Sequence, residues 1–199
     1  MKIFKNYLKN QTSITDEQFS LLSSELKAKR VTKGELLLIA NTRTKSLFFV
    51  CKGLLRSYIL DKHGKEHIIQ FAPENGFIGD RNSVVFDEPT QFYVDAIEDT
   101  EVVVINKRFL DLAHNLCPDF GLFNTWRLND SVRDIQRRVS LLLAGTAEER
   151  YTNFIELYPH LALRLSQIMI ASYLGITPES LSRVRRNLVG KTPTSRRLL

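Results

Sequence analysis

The most restrictive stretch of this chain is LSQIMIASYLGITPESLSRVRRNL, residues 165–188. Counted from Gln167 as position one, Ala171 falls at five and Gly175 at nine. Ile170, Leu174, Ile176, Leu181 and Val184 then fall at four, eight, ten, fifteen and eighteen. A small residue at five lets two helices approach closely. A glycine at nine turns the chain through a left-handed conformation without steric cost, and the five apolar positions meet across the bend. Thr177 carries the hydroxyl to cap a second helix, and Pro178 suits its first position, where no N–H is needed. The pattern predicts a helix-turn-helix; the plainer alternative is an ordinary helical hairpin.

The second helix sorts its side chains into two faces. Leu181, Val184 and Leu188 repeat on one side, whereas Glu179, Ser182, Arg183 and Arg186 stand at i, i+3, i+4 and i+7 on the other. A solvated helix face can look the same, but in a helix-turn-helix this is the helix that enters a major groove. The charge distribution points the same way. The chain has 28 basic and 22 acidic residues, a net of +6, and the stretch from Thr146 onward carries eight basic residues against four acidic ones. A basic C-terminal block attracts a polyanion, because binding releases its counterions; a solvated tail is the alternative reading.

Upstream the texture is different. After a short helix, with Thr15 and Gln18 as a capping box and Phe19, Leu22 and Leu26 on one face, residues from Val31 to about Ile105 form short β-prone runs. These are LLLIA (36–40), SLFFVC (46–51), LLRSYIL (54–60), HIIQFA (67–72), FYVDAI (92–97) and EVVVI (101–105), cut by glycines. Close-spaced short strands predict a sandwich or barrel rather than a parallel sheet. From Pro118 to about Ala144 the period becomes helical. Leu128, Val132, Ile135, Val139 and Leu142 repeat at alternating steps of four and three, a heptad seam. Such a helix can pack on its own β-domain; the 3.5-residue spacing and the charges of Arg133, Asp134, Arg137 and Arg138 favour a partner helix. The chain thus divides into a β-domain over residues 1–117, a dimerisation helix over 118–145 and a helix-turn-helix domain over 146–199, an α+β architecture.

Composition excludes other classes. A hydrophobic fraction of 43% and a charged fraction of 25% are those of a globular protein. Cys51 and Cys117 are too few for a disulfide framework or a four-cysteine iron–sulfur cluster. Cys51, among apolar neighbours, reads as a core residue. The start MKIFKNYLKN does not read as a signal peptide, and no run of about 18 apolar residues is present, so the expectation is a cytoplasmic protein with no membrane partner. No serine-hydrolase elbow, Walker loop or zinc-protease motif occurs, so no enzyme is expected. Of the residues that could ligate haem iron, His63, His67, His114 and Cys51, the first two flank the turn DKHGKE and read as structural.

A glycine-punctuated β-roll, a long dimer helix and a C-terminal YLGITPESLSR resemble the Crp/Fnr transcription regulators. In the roll the likeness lies in KGELLLI (33–39), FVCKGLLRSYILDKHGKE (49–66), FIGD (77–80) and AIEDTEVVVI (96–105). TAEERYTNFIELYP (146–159) is similar to the branch common in Bacteroidetes-type members. The resemblance implies an N-terminal double-stranded β-helix (jelly-roll) of the cyclic-nucleotide-binding type and a winged helix-turn-helix. It also implies a homodimer on double-stranded DNA with an inverted-repeat operator, and RNA polymerase as a further partner. Fnr-like members read DNA with Glu-x-x-Ser-Arg, which Glu179, Ser182 and Arg183 match. Arg183 would donate to guanine and Glu179 accept from cytosine. Thr177, Arg185, Arg186 and Lys191, with Arg196 and Arg197 beyond them, are expected on phosphates.

One departure bears on the effector. Cyclic-nucleotide-binding members carry Gly-Glu and, after a spacer, Arg-Ser; the arginine pairs with the phosphate and the glutamate with the ribose. Here the same spacing holds Gly79-Asp80 and Thr90-Gln91, with Arg81 as the one nearby substitute. A buried phosphate would lack its charge partner, so cyclic AMP is not expected as cofactor. The reading is a dimeric DNA-binding regulator with an unidentified effector. The alternative is a ligand-binding or redox-sensing module whose C-terminal helices mediate protein contacts.

Overall fold

The β-prone runs fold as eight antiparallel strands: β1 (Leu26–Val31), β2 (Leu36–Leu38), β3 (Ser46–Lys52), β4 (Leu55–Leu60), β5 (Glu66–Ala72), β6 (Phe77–Ile78), β7 (Tyr93–Ala96) and β8 (Thr100–Asn106). They form two four-stranded sheets, ordered β1-β8-β3-β6 and β2-β7-β4-β5. Period-two alternation gives each strand an inner and an outer face. Phe48, Val50, Ile78 and Val102 of the first sheet meet Leu38, Leu55, Val94 and Ala96 of the second in one interior. The computed structural model describes residues 1–191, in two compact units, Met1–Ser131 and Val132 onward. The architecture is the mixed β-roll and helical one that the sequence predicts.

The outer face of the first sheet is apolar as well, and helices cover it. Leu47, Phe49, Val103 and Ile105 pack with Phe4 and Leu8 of α1 (Lys2–Gln11), Phe19 and Leu22 of α2 (Asp16–Leu22), and Phe109 and Ala113 of α4 (Lys107–Leu116). Phe4 is the hub, with its ring 4.9 Å from Phe49 and 5.8 Å from Phe109. The Thr15–Gln18 capping box forms as expected, but α2 stops at Leu22. Leu26 opens β1 instead of continuing the helical face, where it pairs with Ile105.

A short helix, α3 (Arg81–Phe86), interrupts the roll between β6 and β7. The long α5 (Phe120–Ala144) begins two residues after Pro118 and ends before Gly145, and the division between the units falls within it. The second unit continues with α6 (Ala147–Leu157), a 3-10 turn at Leu161–Leu163, α7 (Gln167–Leu174) and α8 (Pro178–Lys191). Its described residues hold helices and this turn but no strand. A wing after α8 would fall at residues 192–199, outside the described residues. No helix among the described residues is long and apolar enough to cross a membrane.

Candidate nucleic-acid interface

α7 and α8 are built by caps at both ends of a glycine turn. The Ser166 hydroxyl accepts from the Met169 N–H at 3.2 Å to start α7, and Gly175 ends it at φ +65°, where the Ile176 N–H reaches back to the Ala171 carbonyl at 3.0 Å. Two residues later the Thr177 hydroxyl accepts from the Ser180 N–H at 3.2 Å and starts α8. Ile170, Ala171, Leu174, Leu181 and Val184 are buried, and Ile176 is half-buried. The steep bend is therefore held by packing and by satisfied backbone groups together.

The opposite face of α8 is open. Glu179, Ser182, Arg183 and Arg186 are all exposed on it. The Glu179 carboxyl is held below the ordinary carboxylate range, first by its own backbone N–H and then by the Thr177 hydroxyl. It therefore stands as an anion at the helix N-terminus, where the helix dipole favours negative charge. Arg183 donates to the Ser180 hydroxyl at 3.2 Å, a contact to a half-buried neighbour on its own helix. Arg185 is placed differently from Arg186. It is half-buried, donates from Nε to the Tyr151 hydroxyl of α6 at 3.1 Å, and lies 5.4 Å from that ring. Lys191 ends α8, with its side chain outside the described residues, as Arg196 and Arg197 are entirely.

The seam positions lie along α5. Val132, Ile135, Val139 and Leu142 are 51%, 62%, 47% and 37% exposed, and Leu128 is half-buried. The stripe is thus apolar and largely open in the single chain, not consumed by internal packing. Of the flanking charges, Arg138 turns inward. It donates to the Tyr173 carbonyl at 2.9 Å and its guanidinium lies 4.2 Å from the Tyr173 ring centroid. Sequence periodicity could not foresee this, because a flanking arginine and an internal one occupy similar positions beside a heptad stripe.

The roll places the five effector-pocket candidates as follows. Asp80 is buried and accepts from the Asn82 and Ser83 N–H groups, so its carboxylate caps α3. Gly79 sits at φ +141° with the Leu47 side chain 2.9 Å from where a Cβ would stand. Arg81 donates to Asn124 of α5 at 3.3 Å. Thr90 is fully buried, its carbonyl accepting from Asn41, its N–H donating to Thr42 and its hydroxyl accepting from Phe92. Gln91 is exposed. The sequence reading missed a buried charge group on the second sheet. Arg56 pairs with Asp95 at 2.7 and 2.9 Å and with Glu66 at 3.2 Å, over the Tyr58 ring. Burial pulls its pKa down, but the two carboxylates outweigh this and leave it above the ordinary arginine value. An arginine alternating with apolar residues in LLRSYIL was the available signal.

Residues 28–114 match the family model of the cyclic nucleotide-binding domain. The chain is 29% identical over 166 residues to the transcriptional activator protein FnrA of Stutzerimonas stutzeri, covering 76% of this chain and 66% of that one. It is 27% identical over 188 residues to the fumarate and nitrate reduction regulatory protein of Vibrio cholerae, covering 83% and 73%. The chain thus spans about two thirds to three quarters of the length of these relatives. In fold it is similar to FixK2 from Bradyrhizobium japonicum, with a TM-score of 0.70 at 24% identity over 83% of this chain and 85% of that one. Domain match, relatives and fold agree in one likeness: the chain is similar to the regulators of the Crp/Fnr superfamily.

Proposed function

We propose that this chain is a sequence-specific DNA-binding transcription regulator that works as a homodimer in the cytoplasm. The observation that carries this reading is the face of α8: Glu179, Ser182 and Arg183 stand exposed on a capped helix whose other side is buried. Arg183 can give both hydrogens of its fork to guanine O6 and N7, and Glu179 can accept from cytosine N4. Thr177, Arg185, Arg186 and Lys191 are assigned to phosphates, with Arg185 reaching one through its terminal nitrogens while Nε stays on Tyr151. The open stripe Leu128–Val132–Ile135–Val139–Leu142 supports pairing of two copies along α5. The likeness to a named transcriptional activator extends the reading to RNA polymerase as a partner.

The roll, in this reading, takes an effector other than cyclic AMP. Asp80 is spent on a helix cap, and Thr90, where the family's phosphate arginine would stand, is bound on every side by its own neighbours. The deciding experiment is selection from a random duplex library at two salt concentrations. The expected product is an inverted repeat with half-sites about one helical turn apart, bound with a steep inverse dependence on salt. A pool that stays unenriched at both salt concentrations would reject the regulator in favour of a module that contacts protein alone.

A further inference from the structure

Two arginines bind the end of α7 to the end of α5. Arg150, on α6, spreads its guanidinium over three carbonyls: Nε donates to Leu141 at 2.9 Å, Nη2 to Leu142 at 2.9 Å and Nη1 to Leu174 at 3.2 Å. Leu141 and Leu142 lie in the last turn of α5, and Leu174 is the last residue of α7. The Leu142 and Leu174 carbonyls are among those a helix leaves without an internal partner at its C-terminus, where a cation is also favoured by the dipole; the Leu141 carbonyl accepts from the Gly145 N–H at 2.9 Å as well. Arg138, on α5, holds the adjacent Tyr173 carbonyl at 2.9 Å and stacks over the Tyr173 ring. Between these two contacts sits the turn itself. A Cβ on Gly175 would meet the Leu142 side chain at 3.0 Å and the Arg150 guanidinium at 3.6 Å. Leu142 is also a seam position, so one side chain touches both the proposed dimer face and the turn that leads into α8.

We infer that Arg138 and Arg150 are positioning residues that set the angle between α5 and α8, and with it the half-site spacing the dimer accepts. The inference rests on the proposed roles of α5 as dimer seam and α8 as DNA reader. Neither arginine faces the groove-reading side of α8; both act through backbone carbonyls. The guanidinium fork is what permits three carbonyls from two helices to be bridged at once. An ammonium group, a single point charge, keeps the charge but not the bridge. The basic count that points to DNA in the sequence therefore includes at least one residue, Arg150, whose work is internal.

The test compares the full-length chain with Arg150→Lys and Arg138→Lys, each checked for dimer mass and helical content. Selection on half-sites separated by a random spacer should enrich one spacing for the original chain. Each variant should enrich the same half-site sequence but accept spacings one base pair away, with preference for the best spacing reduced about tenfold. A spin label at Asn187→Cys, exposed on α8, gives a reading without DNA: one narrow distance between protomers, broadened in the variants. Folded dimeric variants with unchanged spacing preference and an unchanged distance distribution would overturn the inference. A chain that selects no duplex, yet shows a distance that broadens in the variants, would reject the DNA-reading role and retain the clasp.

Discussion

Individual side chains separate reading from holding. Arg183 and Arg186 share the exposed face of α8, one closing the Glu-x-x-Ser-Arg pattern at its fifth position and the other about a turn further on. Arg183→Ala should weaken the selected operator by about 1–3 kcal/mol and relax preference at one symmetric base pair. Arg186→Ala should weaken all duplexes alike and flatten the salt slope by about one. Anisotropy titrations across salt, run on the operator and on single-base variants, distinguish the two. Gly175 shows how one position can be fixed by backbone and space together. Its φ of +65° and the Leu142 side chain 3.0 Å from a Cβ both oppose substitution. Gly175→Ala should cost about 1–2 kcal/mol, read as faster amide exchange at the end of α7 with the roll unaffected. The Ala171–Gly175 spacing was legible in the sequence because only small or flexible residues satisfy it. The Arg150 clasp was not, because a hydrogen bond to a backbone carbonyl leaves no signature in residue type.

At the level of elements, legibility followed burial on one clear face. The central strands, rich in β-branched and aromatic residues, stood where the runs of apolar residues place them, within one or two residues. The edge strand β1 did not show itself. Its LKAKRV has buried ends and four exposed residues between, so alternation is absent and only pairing with β8 makes it a strand. α1 and α4 were likewise silent. Each buries only two side chains fully, Phe4 with Leu8 and Phe109 with Ala113, too few to set a period in the sequence. α5 is the opposite case, a long stripe whose period is plain and whose proposed partner is the same helix of a second copy. Ile135→Asp would place an unpaired charge at the middle of that stripe, at a cost of several kcal/mol, on the order that disfavours pairing. Light scattering should report a monomer, and tight operator binding should be lost with it. A variant of unchanged dimeric mass would move the dimer interface off α5.

Across the whole molecule, the sensor-like roll and the helical unit divide their chemistry. In the proposed reading, the positions of the family's phosphate cassette serve internal structure, with Asp80 as a cap and Thr90 as a tied, buried residue. Calorimetry with cyclic AMP at micromolar concentrations should therefore show no heat beyond dilution, where a binder of that affinity would release about 8 kcal/mol of free energy. A one-per-subunit isotherm would make Arg81, now turned to Asn124, the phosphate partner. The overall plan was legible because the switch from short β-runs to a heptad stripe to a capped helical bend is written in apolar spacing. The effector was not, because a family pocket that has lost its charged pair no longer names what replaces it. One feature of the roll reaches beyond the single molecule. β1 lies at a sheet edge, and Lys27, Lys29 and Arg30 line its exposed stretch. Lys29 and Arg30 are held out by ion pairs to Glu35 and Glu101. Long charged side chains along an open edge hinder a second copy of the same edge from pairing with it. The roll is thereby guarded against edge-to-edge pairing, and the proposed pairing of two copies is left to α5.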